Sequence, residues 1–121
     1  VKAAGARFAY LAATDGARGR DARFAANREG ATAQGIRSGA IHRYRLCAFA
    51  ADQAANFIRN VPRDPAALPP AVWLEMDDDC AARPSRALLL SELTTFLAQI
   101  EAHLGKRSII APSAAFDAEY R

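Results

Sequence analysis

Apolar positions along this chain alternate between two periodicities. Four short runs, RFAYLAA (7–13), GAIHRY (39–44), AVWLEM (71–76) and RSIIA (107–111), recur about every 30 to 36 residues, the spacing of a strand plus a crossover helix. Between them the period lengthens to that of a helix. In SRALLLSELTTFLAQIEAHLG, Leu89, Leu93, Phe96, Leu97, Ile100 and Leu104 recur at i, i+4, i+7, i+8, i+11 and i+15, with Ser85 as N-cap and Gly105 as the C-terminal stop. A second helix is expected from about Ala50 to Val61, with Ala54, Phe57, Ile58 and Val61 on one face, before VPRDPAALPP breaks it. A third is expected from about Ala22 to Gln34, with Asp21 as N-cap and Gly35 as its stop, on a thin apolar face.

The order is therefore βαβαβαβ. Right-handed crossovers make such a sheet parallel and bring the carboxyl ends of all four strands to one rim, where α/β folds place their chemistry. The expected rim residues are Thr14 and Asp15, then His42 to Arg45 with Tyr44 among them, then Glu75 to Asp79, then Pro112 and Ser113. The stretch AVWLEMDDDC (71–80) stands out there, because an apolar strand runs straight into four carboxylates in five residues.

Composition narrows the class. The chain has 121 residues, 51% of them hydrophobic, one domain's worth of material with enough apolar content for a core. No apolar run reaches the roughly 18 residues of a membrane helix, so no membrane partner is expected. The net charge is +3 and arginine dominates, Lys2 and Lys106 being the lysines. The basic residues are scattered rather than gathered in a stripe, which argues against nucleic acid as a partner. A mildly cationic surface suits an anionic polymer such as a cell wall. TDGARGR lacks the spacing of a phosphate loop, which disfavours a flavodoxin-like module.

With the motifs placed, FAYLAATDG, DARFAANREGATAQGIRSGAIHRYR, VPRDPAALPPAVWLE and AHLGKRSIIAPSAAF together resemble the glycoside hydrolase family 25 lysozymes, which are N-acetylmuramidases. Those enzymes show K-A-T-E-G, D-x-x-F-x-x-N, G-A-Y-H-F, L-P-P-x-x-D-x-E and I-I-Y-T-S in that order. The resemblance implies an α/β fold of the β/α-barrel type, here a partial barrel of about four parallel strands with crossover helices. It also implies cleavage after N-acetylmuramic acid in the glycan strands of peptidoglycan, with no cofactor, in an extracellular or cell-envelope location. Carried over by residue, Glu75 matches the Glu of D-x-E, the general acid. Thr14, Gly16, Asn27 and His42 match other motif positions, and Asp15 is a near match for the family's Glu. The departures are Trp73 for the Asp of D-x-E, Ala12 for the Lys of K-A-T-E-G, Ile41 for the Tyr of G-A-Y-H-F, and Ala111 with Pro112 for the Tyr-Thr pair.

Glycoside hydrolysis ordinarily needs two carboxyl groups, one to protonate the leaving oxygen and one to act on the anomeric side or on a water. Residues two apart on a strand share a face, so Trp73, Glu75 and Asp77 are expected to point the same way, with neighbours about 6 to 7 Å apart. Asp77 would then partner Glu75 near the window of about 6.5 to 9.5 Å typical of inverting enzymes. Trp73 is either a sugar-stacking platform or core filling. His42 is either a cleft-lining group or a satisfied core histidine, and without a second His or a nearby Cys it is no metal ligand. The acidic run lacks the glycine and distal Glu of a calcium loop, so no metal is expected there. His103, near a helix end, is expected at the surface.

Cys47 follows His42 by five residues and Cys80 follows Glu75 by five. Loops above adjacent strands about 4.8 Å apart would allow a disulfide between them, which would argue for an oxidising compartment. A closed β/α barrel takes eight strands and on the order of 200 residues. Residues 1–121 are therefore read as a single domain and as part of a longer protein. Two functions stay open: a lysozyme-type hydrolase or its degenerate descendant, a pseudoenzyme, with Glu75 as the retained acid and Asp77 beside it; or a non-catalytic glycan-binding or structural domain that kept the fold. Trp73, His42, Thr14, Asp15 and Tyr44 are the expected substrate contacts.

Overall fold

The computed structural model describes residues 8–76 and 83–120. Its elements run β1 (Phe8–Asp15), β2 (Gly19–Arg20), α1 (Phe24–Ala33), β3 (Arg37–Tyr44), α2 (Ala50–Asn60), β4 (Ala71–Leu74), α3 (Arg86–Leu104), β5 (Ile109–Pro112) and α4 (Ala114–Tyr120). They form one five-stranded sheet in the order β2-β1-β3-β4-β5. The pairs β1–β3, β3–β4 and β4–β5 are parallel, as the strand-plus-crossover spacing requires, and the sheet is open rather than closed into a barrel. The short β2 pairs antiparallel with the end of β1.

Local signals explain most of the boundaries. Ser85 Oγ accepts the Leu88 N–H at the start of α3, and Gly105 closes it at φ 71°, a left-handed cap that glycine adopts without a Cβ penalty. α1 starts at Phe24, later than expected, because Asp21 is not its N-cap: its Oδ1 accepts the Arg23 N–H in a turn ahead of the helix. β4 ends at Leu74 instead of Met76. The last bond of its ladder with β5 runs from the Ser113 N–H to Leu74 O at 2.8 Å, and the partner chain then turns into α4. The hairpin strand β2 and the helix α4 were not expected. Ser113 Oγ accepts the Phe116 N–H at the start of α4, and Phe116 and Tyr120 stack one turn apart at 5.0 Å.

Helices α2 and α3 pack on each other and on one face of the sheet. Phe57, Phe96 and Ile100 are fully buried there with Val72, and Ala40, Tyr44 and Leu74 complete the strand side. His103 is not simply at the surface. Its Nε2 lies 2.8 Å from Val61 O, tying the end of α3 to the end of α2. Among the described residues no helix is long and apolar enough to cross a membrane.

Candidate active site

One extra residue in β1 decides which side chains meet on which face. The register runs Ala12↔Ile41, then Thr14↔His42 and Asp15↔Arg43, so Ala13 has no partner and forms a β-bulge. In an unbulged strand Thr14 would stand beside Arg43. The bulge turns Thr14 to the helix-covered face and sends Asp15 to the other. Residues paired in register share a face, so Asp15, Arg43 and Trp73 form a row across β1, β3 and β4. Glu75, two residues beyond Trp73, meets Arg43 at the top of that row.

This open face is charged. Arg43 Nη2 donates to Glu75 Oε2 at 2.5 Å, with both side chains partly exposed. Arg45 grips Asp15 with two parallel bonds, Nε to Oδ1 at 2.6 Å and Nη2 to Oδ2 at 2.9 Å, the fork geometry that suits a carboxylate. That guanidinium holds the Asp15 carboxyl below the usual carboxylate range, against the opposing effect of burial. Asp15 is thus an anion with both oxygens engaged, fit to stabilise nearby positive charge but not to give a proton. Trp73 is 39% exposed beside these pairs, with its indole reachable from the open face.

The opposite face holds a neutral polar network. His42 is 0% exposed, with Nδ1 2.7 Å from Thr14 Oγ1 and Nε2 2.9 Å from Gln53 Oε1. Gln53 Nε2 donates to Arg45 O and Ala48 O, so its oxygen faces the Arg45 N–H and His42. An amide oxygen only accepts; His42 therefore carries its proton on Nε2, and the Thr14 hydroxyl donates to Nδ1. Burial pushes the His42 pKa down to about 4, with the Gln53 bond and the Asp15 charge opposing. Its ring lies 4.7 Å from Phe96 and 6.1 Å from Phe57.

The sequence-expected site therefore divides. Glu75, Trp73 and Asp15 come together on the open face, with Arg43 and Arg45, which the sequence places on the rim without a role; only the register, linking residues 32 positions apart, reveals the Arg43–Glu75 pair. Contrary to expectation, Thr14 borders a depression there but is itself buried, and His42 and Tyr44 do not line the face. At 4%, 0% and 3% exposure they sit under α2 and α3, because the bulge and the strand alternation turn them to that side. The expected two-residue strand geometry between Glu75 and Asp77 lapses where β4 ends at Leu74, and Asp77 lies outside the described residues. Cys47 is disulfide-bonded, and Cys80 also lies outside the described residues. Among the described residues no group of three His, Cys, Asp or Glu side chains is placed to hold a metal ion.

Two polar side chains of α2 that the sequence reading passed over shape the site. Asn56 Nδ2 donates to Gly16 O and Gly19 O, pinning the hairpin that follows Asp15. Gln53 pins the loop after β3, which carries Arg45. Both are polar residues of an amphipathic helix, which alone gives no sign of burial.

Comparison with known proteins places this geometry. The sequence profile of glycosyl hydrolases family 25 matches residues 1–120. No curated protein sequence matches the chain. Among solved structures it is similar to a family 25 glycosyl hydrolase from Bacillus anthracis, with 31% identity and a TM-score of 0.86 over 94% of this chain and 53% of that one. It is also similar to the bacterial lysozyme from Streptomyces coelicolor, with 29% identity and a TM-score of 0.85 over 97% of this chain and 57% of that one. A muramidase from Acremonium alcalophilum gives 25% identity and a TM-score of 0.83, covering 93% and 57%. The chain thus spans between 53% and 57% of the length of these relatives.

Proposed function

The chain belongs to family 25 of the glycosyl hydrolases, and on that premise we propose that it acts on the glycan strands of peptidoglycan, cleaving after N-acetylmuramic acid outside the cell or in its envelope. The observation that carries this is the position of Glu75. It leaves the carboxyl end of β4 onto the open face, beside the exposed indole of Trp73. Glu75 gives the proton to the leaving oxygen, Asp77 is the second carboxylate, Trp73 stacks on a pyranose ring, and Asp15 supplies fixed negative charge near a developing oxocarbenium ion. The disulfide of Cys47 takes Cys80, the chain's other cysteine, as its partner in this reading, which suits an oxidising compartment.

Glycan binding without cleavage is the second reading, and two observations favour it. Trp73 stands where the family has its Asp, and one Glu75 oxygen already accepts from a guanidinium. Clearing of muramic-acid-containing cell walls separates the two readings. Clearing by the parent that vanishes in Glu75→Gln supports hydrolysis. No clearing by the parent, together with clearing by Trp73→Asp, supports a site that binds without cutting. Clearing unchanged in Glu75→Gln overturns the assignment of the acid. A positioned general acid or base contributes about 10²- to 10⁴-fold in rate, so the Glu75→Gln loss is expected on that scale.

A further inference from the structure

The Arg43–Glu75 pair is built to be exchanged. Arg43 offers five N–H donors, yet its bond to Glu75 uses Nη2, and its Nε is buried with no partner among the described residues. A buried unpaired donor is a standing cost that a better-aligned acceptor would remove. The pair is also accessible, with side-chain exposures of 43% for Arg43 and 34% for Glu75. Beside it lies a surface depression of about 420 Å³, lined in part by Ala12, Asp15, Arg20 and Arg43. Asp15 cannot take Glu75's place, because Arg45 occupies both of its oxygens. A planar carboxylate entering the depression, with the guanidinium turned to bring Nε to the surface, could engage Nε and Nη of Arg43 together, a two-bond geometry that the Glu75 contact lacks.

Resting on the peptidoglycan reading above, we infer that Arg43 is a specificity-determining residue that exchanges Glu75 for a carboxylate carried by the muramoyl residue of the glycan. The carboxylate is the lactyl group where that group is unsubstituted, and a stem-peptide carboxylate where the lactyl group is amidated. The exchange does two things: it selects muramoyl over neutral amino sugars, and it releases Glu75 from its cation as substrate arrives.

Calorimetric binding to the whole chain tests this without requiring turnover. The probes are the disaccharide of N-acetylglucosamine and N-acetylmuramic acid with a free lactyl carboxylate, its methyl ester, and its peptide-bearing form. Parent protein is expected to bind the free acid about tenfold more tightly than the ester, a difference of charge-assisted hydrogen bonding. Arg43→Gln should abolish that preference, and Arg28→Gln, remote from the site, should keep it. Glu75→Gln is the decisive arm. Removing the internal competitor should tighten binding of the acid, whereas a pair that merely supports the fold would leave it equal or weaker. Preference for the peptide-bearing form over the ester assigns the carboxylate to the stem peptide. Equal binding of acid, ester and peptide form, or acid binding in Glu75→Gln that is equal to or weaker than the parent's, overturns the inference. Cell-wall clearing without carboxylate preference would sink this inference alone, and carboxylate preference without clearing would sink the hydrolase reading alone.

Discussion

Acidification to pH 4 should destabilise this domain through one side chain, His42. The ring is fully buried, its two nitrogens are committed to Thr14 and Gln53, and Phe96 stacks on it at 4.7 Å. The Thr14 hydroxyl can turn to accept from a protonated Nδ1, so lost hydrogen bonds are not the obstacle. The obstacle is an imidazolium removed from water among aromatic rings, which lowers the pKa from 6.5 to about 4. The unfolded chain takes up the proton near 6.5 and the folded chain does not. The stabilisation is thus complete above pH 6.5, declines as pH falls, and is gone below about pH 4. At about 1.4 kcal/mol per pKa unit, the full loss is about 3 to 4 kcal/mol, a large share of the roughly 5 to 15 kcal/mol typical of a domain.

Urea midpoints measured from pH 7.5 to 3.5 check the magnitude, and the C2–H resonance of His42 in the folded protein checks the cause. Asp15 acts in a separate window: its lowered pKa gives stability that is lost only as pH falls below the ordinary carboxylate range. His42→Gln should flatten the dependence between pH 6.5 and 4. A His42 resonance that titrates with a midpoint near 6.5 in the folded parent would refute the reasoning, and that measurement stands even if the variant fails to fold.

Gly39→Ala should cost about 1 to 3 kcal/mol by overpacking, since a Cβ there would lie 2.5 Å from Tyr10 Cε1 and 3.1 Å from Leu68 Cβ; thermal unfolding with an unchanged midpoint would contradict the packing described. Burial and the Glu92 charge raise Tyr44 to about 12, so folding is favoured fully below pH 10 and progressively less between pH 10 and 12. Absorbance titration of the tyrosines should show one phenol ionising only near pH 12 or on unfolding, and three phenols titrating together near 10 would exclude the buried placement.

The strand-and-helix order was legible because burial writes its period into sequence. α3 carries six apolar positions on one stripe and both of its caps, and the apolar runs of β1, β3 and β4 each lie between helix-compatible segments. The site was legible only in part. Glu75 and Trp73 follow from the resemblance of PPAVWLE to the family's L-P-P-x-x-D-x-E, with strand alternation putting them on one face. The bulge at Ala13 does not, since nothing in LAATDG marks where an extra residue loses its partner, and this one residue exchanges the faces of Thr14 and Asp15. Arg43 was likewise hidden, because a cation near a strand end shows no preferred carboxylate until the register is known. The short α4 and the two-residue β2 escaped because elements of that length carry too few apolar positions to show a period.

The bulge also separates stability from chemistry. On the helix side the polar groups are neutral and mutually satisfied, which is the cheapest way to bury them. On the open side charges remain partly in water, where each exposed pair contributes about 1 kcal/mol or less. Replacing Trp73 by Asp therefore alters a partly exposed position facing away from Phe57, Phe96 and Ile100, and removing the Arg43–Glu75 pair sacrifices little folding energy. Substitutions on the open face should accordingly report on the proposed glycan chemistry in a protein that still folds. Substitutions at Thr14, His42 or Gln53 should report on the core, even though Thr14 and His42 lie one position from Asp15 and Arg43 in the chain.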